Sequence, residues 1–263
     1  MPYINIHNKN IYYKEYGSGE AIVFLNGMLM STNSWSPFIK TISKDYHMVT
    51  IDLLDQGKTD SSDVEYNIDA QVEILKKFLD KLELKSVNLL GTSYGGKIAL
   101  SFYTKYPDMV KSLILANTDS HTTDYMKKIA EKWIDKASTL DASIFLNSTM
   151  PYMYSYSYYK ENYKDMDKLE KAFHRIMDRE WFERFERALK SADGFNVNHK
   201  LNTINVPTLI ISSELDVITP TVYQELLYKE IKDSKWEIIK DVGHASMFEK
   251  PEEFITLVME FLE

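Results

Sequence analysis

Cysteine is absent from this chain of 263 residues. That excludes disulfides, thiolate metal sites, iron–sulfur clusters and a cysteine nucleophile. Long apolar runs are missing too: no stretch approaches the roughly 18 residues that would cross a bilayer as a helix. The opening Met1-Pro2-Tyr3-Ile4-Asn5-Ile6-His7 has neither a basic nor an apolar leader segment, so a cytoplasmic location is the expectation. Excess positive charge is likewise lacking. With 31 Lys and Arg against 39 Asp and Glu, the formal charge is −8, which argues against nucleic acid as a partner. No phosphate-loop or dinucleotide fingerprint occurs and no histidine pair has metal spacing, so neither cofactor nor metal is expected.

What is present is ordinary globular composition, 44% hydrophobic and 27% charged, on a chain long enough for a large buried core. Tyr3, Ile4 and Ile6, then Ile11, Tyr12 and Tyr13, flank a polar His7-Asn8-Lys9-Asn10 turn and predict a β-hairpin. Short apolar runs follow at 21–25, 48–51, 87–90, 113–116, 208–211 and 236–239. Runs of that length suit parallel strands covered on both faces. Helical spacing is clear over 68–82, with Asn67 as cap, over 96–106 before Pro107, and over 251–262 with Pro251 in the first turn. The alternation predicts a doubly wound, mostly parallel α/β sheet of about eight strands. It is interrupted over 121–200 by a helix-like, aromatic-rich stretch in which charges nearly balance. The core is therefore assigned to 1–120 and 201–263, and the insert to a helical cap. Within the insert, Tyr152, Tyr154, Tyr156 and Tyr158 alternate. If extended they would wall the pocket on one side; otherwise they pack the lid onto the core.

The chemistry concentrates in Gly91-Thr92-Ser93-Tyr94-Gly95-Gly96, a G-x-S-x-G placed between a strand and a helix. A serine on so sharp a turn projects its hydroxyl beyond the sheet. The glycines spare collisions with neighbouring backbone, and the Tyr94 N–H at the helix start can meet a developing oxyanion. Serine needs a base, and the base needs an orienting carboxylate. His244, in Val242-Gly243-His244-Ala245 after the last strand, is placed for the first role. His7, His47, His174 and His199 are not. Asp216, beyond the strand 208–211, is the preferred carboxylate over Glu214 and Asp119. The loop Asn26-Gly27-Met28-Leu29, after another strand, offers the Met28 N–H as a second oxyanion donor. Asn26, Gly27 and Leu29 are expected to border substrate, and the methionines here favour an apolar acyl group.

These residues, with Asp52 to Thr59, resemble the α/β-hydrolase fold superfamily over nearly the whole chain. The order Ser93, Asp216, His244 is that family's order. The resemblance implies a cofactor-free hydrolase of esters, thioesters or related acyl bonds, with a helical cap after the sixth strand. Two positions depart from its pattern: Asn26 stands where histidine is usual, and Asp55 where glycine is usual in Asp52-Leu53-Leu54-Asp55-Gln56-Gly57-Lys58-Thr59, which also ends in Thr59 in place of serine. An acyltransferase using the same acyl-enzyme, and a silent binding protein with a capped pocket, are the alternatives.

Overall fold

The computed structural model describes residues 2–263. Eight strands form one sheet: β1 (Tyr3–Ile6), β2 (Lys9–Tyr16), β3 (Glu20–Leu25), β4 (Tyr46–Ile51), β5 (Val87–Thr92), β6 (Val110–Ala116), β7 (Thr208–Ser213) and β8 (Ser234–Ile239). Their order is β1-β2-β4-β3-β5-β6-β7-β8. The β1–β2 and β2–β4 pairs are antiparallel and every other pair is parallel. All eight predicted strands are present; the inner strands β3, β5, β6 and β7 are buried on both faces, whereas β1, β2 and β8 are only partly covered.

The hairpin turn is tighter than the sequence suggests. Ile6 pairs with Lys9, and only His7 and Asn8 turn the chain, at φ 50° and 63°. Left-handed backbone at both positions matches the right-handed strand twist, so Lys9 and Asn10 belong to β2.

Alternate residues on each strand feed the two faces of the sheet. Val23, Leu25, Val49, Leu89 and Leu113 pack toward α2 (Ile68–Lys81) and α3 (Tyr94–Lys105). Ile22, Phe24, Met48, Leu90 and Ile114 pack with Trp35, Phe254 and Val258 on the other face. That face is covered by α1 (Ile39–Ile42), which follows a 3-10 run, and by α11 (Pro251–Leu262). Asn67 caps α2 through the Ala70 N–H, as predicted. The predicted helix at 96–106 instead begins at Tyr94, directly after Ser93. Gly95 and Gly96 look like helix breakers locally, but tertiary packing needs them inside the helix. A Cβ on Gly95 would stand 2.2 Å from the Leu25 carbonyl oxygen, and one on Gly96 would stand 2.5 Å from the Thr118 side chain.

Between β6 and β7 lie α4 (Asp124–Ala137), α5 (Ala142–Met153), α6 (Tyr156–Glu161), α7 (Tyr163–His174) and α8 (Arg179–Lys190). Thr123, Asp141, Ser155 and Asp178 cap four of them with side-chain oxygens. Phe145, Trp133, Phe182 and Phe185 form their shared core, which also takes in Met28, Leu29 and Ile218. The tyrosine alternation is not an extended wall. Tyr152 ends up in α5 against Trp133, Tyr154 stacks on Tyr158, and Tyr156 is exposed. Helix α9 (Thr221–Glu230) and the single turn α10 (Ser246–Glu249) complete the chain.

Candidate active site

Ser93 sits between β5 and α3 at φ 51° and ψ −115°, a conformation that costs a non-glycine residue on the order of 1–3 kcal/mol. Several bonds hold it there. The Ser93 N–H donates to the Ala116 carbonyl (2.8 Å), while the Ser93 carbonyl accepts from Gly96 N–H (2.9 Å) and from the Thr118 hydroxyl (2.7 Å). A Cβ on Gly91 would meet the Gly95 carbonyl oxygen at 2.4 Å, so this sharp turn requires glycine there. The Tyr94 ring is buried. Its hydroxyl, its pKa pushed up to about 12 by that burial, stays neutral and pairs with Ser191 (2.6 Å), anchoring the helix start.

Asp216 and His244 come together at the carboxyl ends of β7 and β8. His244 Nδ1 lies 2.7 Å from Asp216 Oδ2. A carboxylate partner requires the proton on Nδ1, which leaves the Nε2 lone pair free. Asp216 Oδ2 also accepts from the Thr219 hydroxyl (2.8 Å) and Asn117 Nδ2 (3.0 Å), and Oδ1 accepts the N–H groups of Ile218 (2.8 Å) and Thr219 (2.9 Å). Burial pushes the Asp216 carboxyl up. His244 and these hydrogen bonds outweigh it, holding the group below the usual aspartate range. The rival carboxylates are engaged elsewhere. Glu214 is at the surface with Lys240 (3.0 Å), and Asp119 is buried against Lys97. Asn117 and Thr219 were not singled out from the sequence. The one available signal was a threonine three residues after the aspartate, the spacing of a local side-chain bond.

Ser93 and His244 line one cavity of about 310 Å³, together with Gly27, Met28, Tyr94 and Thr219. No hydrogen bond joins Ser93 to His244 among the described residues. The 27–30 turn closes through Met30 N–H to the Gly27 carbonyl (3.4 Å), with Leu29 strained at φ 63°. Neither the Met28 nor the Tyr94 N–H has an acceptor among the described residues, so both donors are free.

Two residues expected to border substrate are elsewhere. Asn26 is wholly buried beneath the loop. Its Nδ2 donates to the Ile51 carbonyl (2.9 Å) and Asp52 Oδ1 (3.1 Å), and its Oδ1 accepts from Trp35 Nε1 (2.8 Å). An amide with every polar atom occupied supports the loop and does not reach the cavity. Leu29 packs into the core of the inserted helices, outside the cavity lining. Asp52 in turn ties the loops together, accepting from Thr32 N–H (2.7 Å) and Lys58 N–H (3.0 Å). Burial raises its pKa despite these bonds.

A strand–serine–helix elbow, a histidine–aspartate pair at neighbouring strand ends and helices inserted after β6 define the α/β hydrolase fold. Residues 20–251 match the model of that family, and the chain belongs to it. Among solved structures it is similar to MGS-M2, an α/β hydrolase enzyme from a Medee basin deep-sea metagenome library. That pair is 35% identical, with a TM-score of 0.96 over 99% of this chain and 96% of the other. Among curated proteins it is 26% identical to the human monoacylglycerol lipase ABHD6 over 258 residues, covering 94% of this chain and 76% of the lipase. It is 27% identical to 3-oxoadipate enol-lactonase 1 of Acinetobacter baylyi over 247 residues, covering 92% and 88%.

Proposed function

We propose that this protein hydrolyses carboxylic esters of small molecules through an acyl-enzyme. The observation that carries the reading is that Ser93, on its strained elbow, and the Asp216-paired His244 open on one cavity. Ser93 Oγ attacks the carbonyl carbon while His244 Nε2 takes its proton, and Asp216 steadies the imidazolium. The negative charge moves to the carbonyl oxygen, where the free N–H groups of Met28 and Tyr94 receive it. Collapse expels the alcohol, protonated by His244. Water, deprotonated by the same imidazole, then attacks the acyl-enzyme, and the carboxylic acid leaves. The Ser93–His244 hydrogen bond forms as substrate seats, a tightening usual in such sites.

Ester chemistry is favoured over other acyl bonds by the lipase and the lactonase among the relatives, both of which act on esters by name. A cavity of about 310 Å³ lined by Met28, Met126, Ile129, Ile134, Met153 and Met247 suits a small, largely apolar acyl group. Helices α4–α8 serve as the cap: Met126, Ile129 and Trp133 of α4 wall the cavity over Ser93 and exclude bulk water during acylation. The test is turnover of a short-chain aryl ester. Ser93→Ala and His244→Ala should each lower kcat by about 10³-fold or more. Near wild-type turnover in the His244→Ala protein would overturn the assignment of the base.

A further inference from the structure

Asp216 orients the ring of His244 but bonds no backbone atom of the loop that carries it. That loop is held on two sides. Val242 and Ser246 bond to the core: the Val242 carbonyl accepts the Leu215 N–H (2.9 Å), and the Ser246 hydroxyl donates to Asn117 Oδ1 (2.8 Å). The two direct neighbours of His244 bond differently. The Ala245 N–H donates to the carbonyl of Met153, the last residue of α5 (2.8 Å), and the Gly243 N–H donates to Glu249 Oε1 (2.9 Å). Glu249 Oε1 also accepts the N–H of Ser155, the cap of α6 (2.9 Å), and its Oε2 accepts the Ser155 hydroxyl (2.5 Å).

Helix ends leave backbone groups without partners inside the helix. At the joint between α5 and α6 those groups, the Met153 carbonyl and the Ser155 N–H, are spent on the His244 loop and on Glu249. A carboxylate offers several lone pairs and no donor, so one side chain can gather N–H groups from two chain segments. Being ionised, it makes the shorter and stronger kind of hydrogen bond. Its bonds go to these two segments and to no lysine or arginine among the described residues. The segments touch directly as well. A Cβ on Gly243 would stand 2.7 Å from the Ser155 nitrogen and 2.8 Å from the Tyr154 carbonyl carbon.

Resting on the ester-hydrolase reading, we infer that Glu249 is a positioning residue for the base. It ties the His244 loop to the α5–α6 joint, so the docked inserted helices, and not the core alone, aim Nε2 at Ser93. A misplacement of about 1 Å in such a geometry costs on the order of 10²-fold in rate. The base therefore works only while this joint is seated.

Single-turnover acylation tests this. 4-Nitrophenyl butyrate is mixed with excess enzyme, and nitrophenolate release gives a limiting rate and a half-saturating enzyme concentration. Glu249→Ala should lower the limiting rate by about fivefold or more and leave half-saturation within about threefold, because the base is displaced and the apolar wall is not. Glu249→Gln keeps Oε1 as an acceptor for both N–H groups and should react at close to the wild-type rate. Arg187→Met loosens the same helices at α8, through a bond to Asp55 that does not involve the His244 loop, and should also acylate at close to the wild-type rate while folded. Should Glu249→Ala not fold, Glu249→Met keeps the length and bulk without an acceptor and carries the same expectation. A smaller loss of limiting rate, or a change confined to half-saturation, overturns the inference. So does an equal slowing in Arg187→Met, which would make the loss one of cap stability, or in Glu249→Gln. Failure of wild-type Ser93 to form a covalent adduct would overturn the hydrolase reading and this inference with it. Labelling of Ser93 with no response to Glu249→Ala overturns this inference alone.

Discussion

Asp216 Oδ2 gathers three donors at once, with His244 Nδ1 at 2.7 Å, the Thr219 hydroxyl at 2.8 Å and Asn117 Nδ2 at 3.0 Å. The carboxylate is thereby fixed before it orients the imidazole. Replacing it with an amide keeps the shape but offers a donor to Nδ1, which favours the wrong tautomer. Asp216→Asn is expected to lower kcat about 10³- to 10⁴-fold with little change in KM, measured on a short-chain aryl ester. Thr219→Val, which removes one of several supports, should cost far less.

The same carboxylate makes stability depend on acid. Its folded-state pKa lies below the unfolded value of about 3.9, so the ionised form favours the folded chain. Its contribution is complete above that value and is lost as pH falls through the lower, folded pKa. Urea unfolding from pH 7 to pH 2.5 should show wild type losing its advantage over Asp216→Asn only below about pH 4. The comparison with the variant is needed because Asp52, whose pKa burial raises, contributes with the opposite sign.

Arg187 of α8 grips Asp55 with two hydrogen bonds, Nε to Oδ2 at 3.1 Å and Nη2 to Oδ1 at 2.8 Å. Arg184, one turn away, donates to the carbonyls of Gln56 (3.0 Å) and Thr59 (2.7 Å). The aspartate that breaks the family's glycine pattern is thus the core's handle on the inserted helices. Arg187→Met would leave the wholly buried Asp55 carboxylate without its fork and should cost about 3 kcal/mol in denaturant unfolding. Arg187→Lys should restore less than half, since a point charge cannot replace a bidentate fork.

Glycines separate by what surrounds them. Gly95→Ala drives a methyl to 2.2 Å from the Leu25 carbonyl oxygen, backbone that cannot move without disturbing β3. Gly194→Ala meets nothing within 4 Å and suffers only from its φ of 71°. Chemical denaturation should show a loss of about 1 kcal/mol for Gly194→Ala. For Gly95→Ala it should show about 3 kcal/mol or more, or failure to fold.

The inner sheet was legible because β3 and β7 carry their burial as short apolar runs, Ala21–Leu25 and Leu209–Ile211, and Ser93, Asp216 and His244 because each lies in the loop or turn just beyond a strand's carboxyl end. What escaped was set by partners remote in sequence. Asn26 reads as a loop residue near substrate until Trp35 and Asp52 take up its amide. Asp119 reads as a rival triad acid until Lys97, a full strand and helix away, claims it. The tyrosines alternate like a strand, yet Ser155 caps a helix in their midst and Glu249 holds its N–H at 2.9 Å. The start of α3 was displaced because Gly95 and Gly96 answer to β3 and Thr118 rather than to local propensity.

Covalent labelling of Ser93 tests the central claim most directly. After incubation with a fluorophosphonate, intact mass should show one adduct per chain, absent from Ser93→Ala and formed far more slowly in His244→Ala. A chain that remains unmodified at high reagent, or an adduct that persists in Ser93→Ala, would contradict the account.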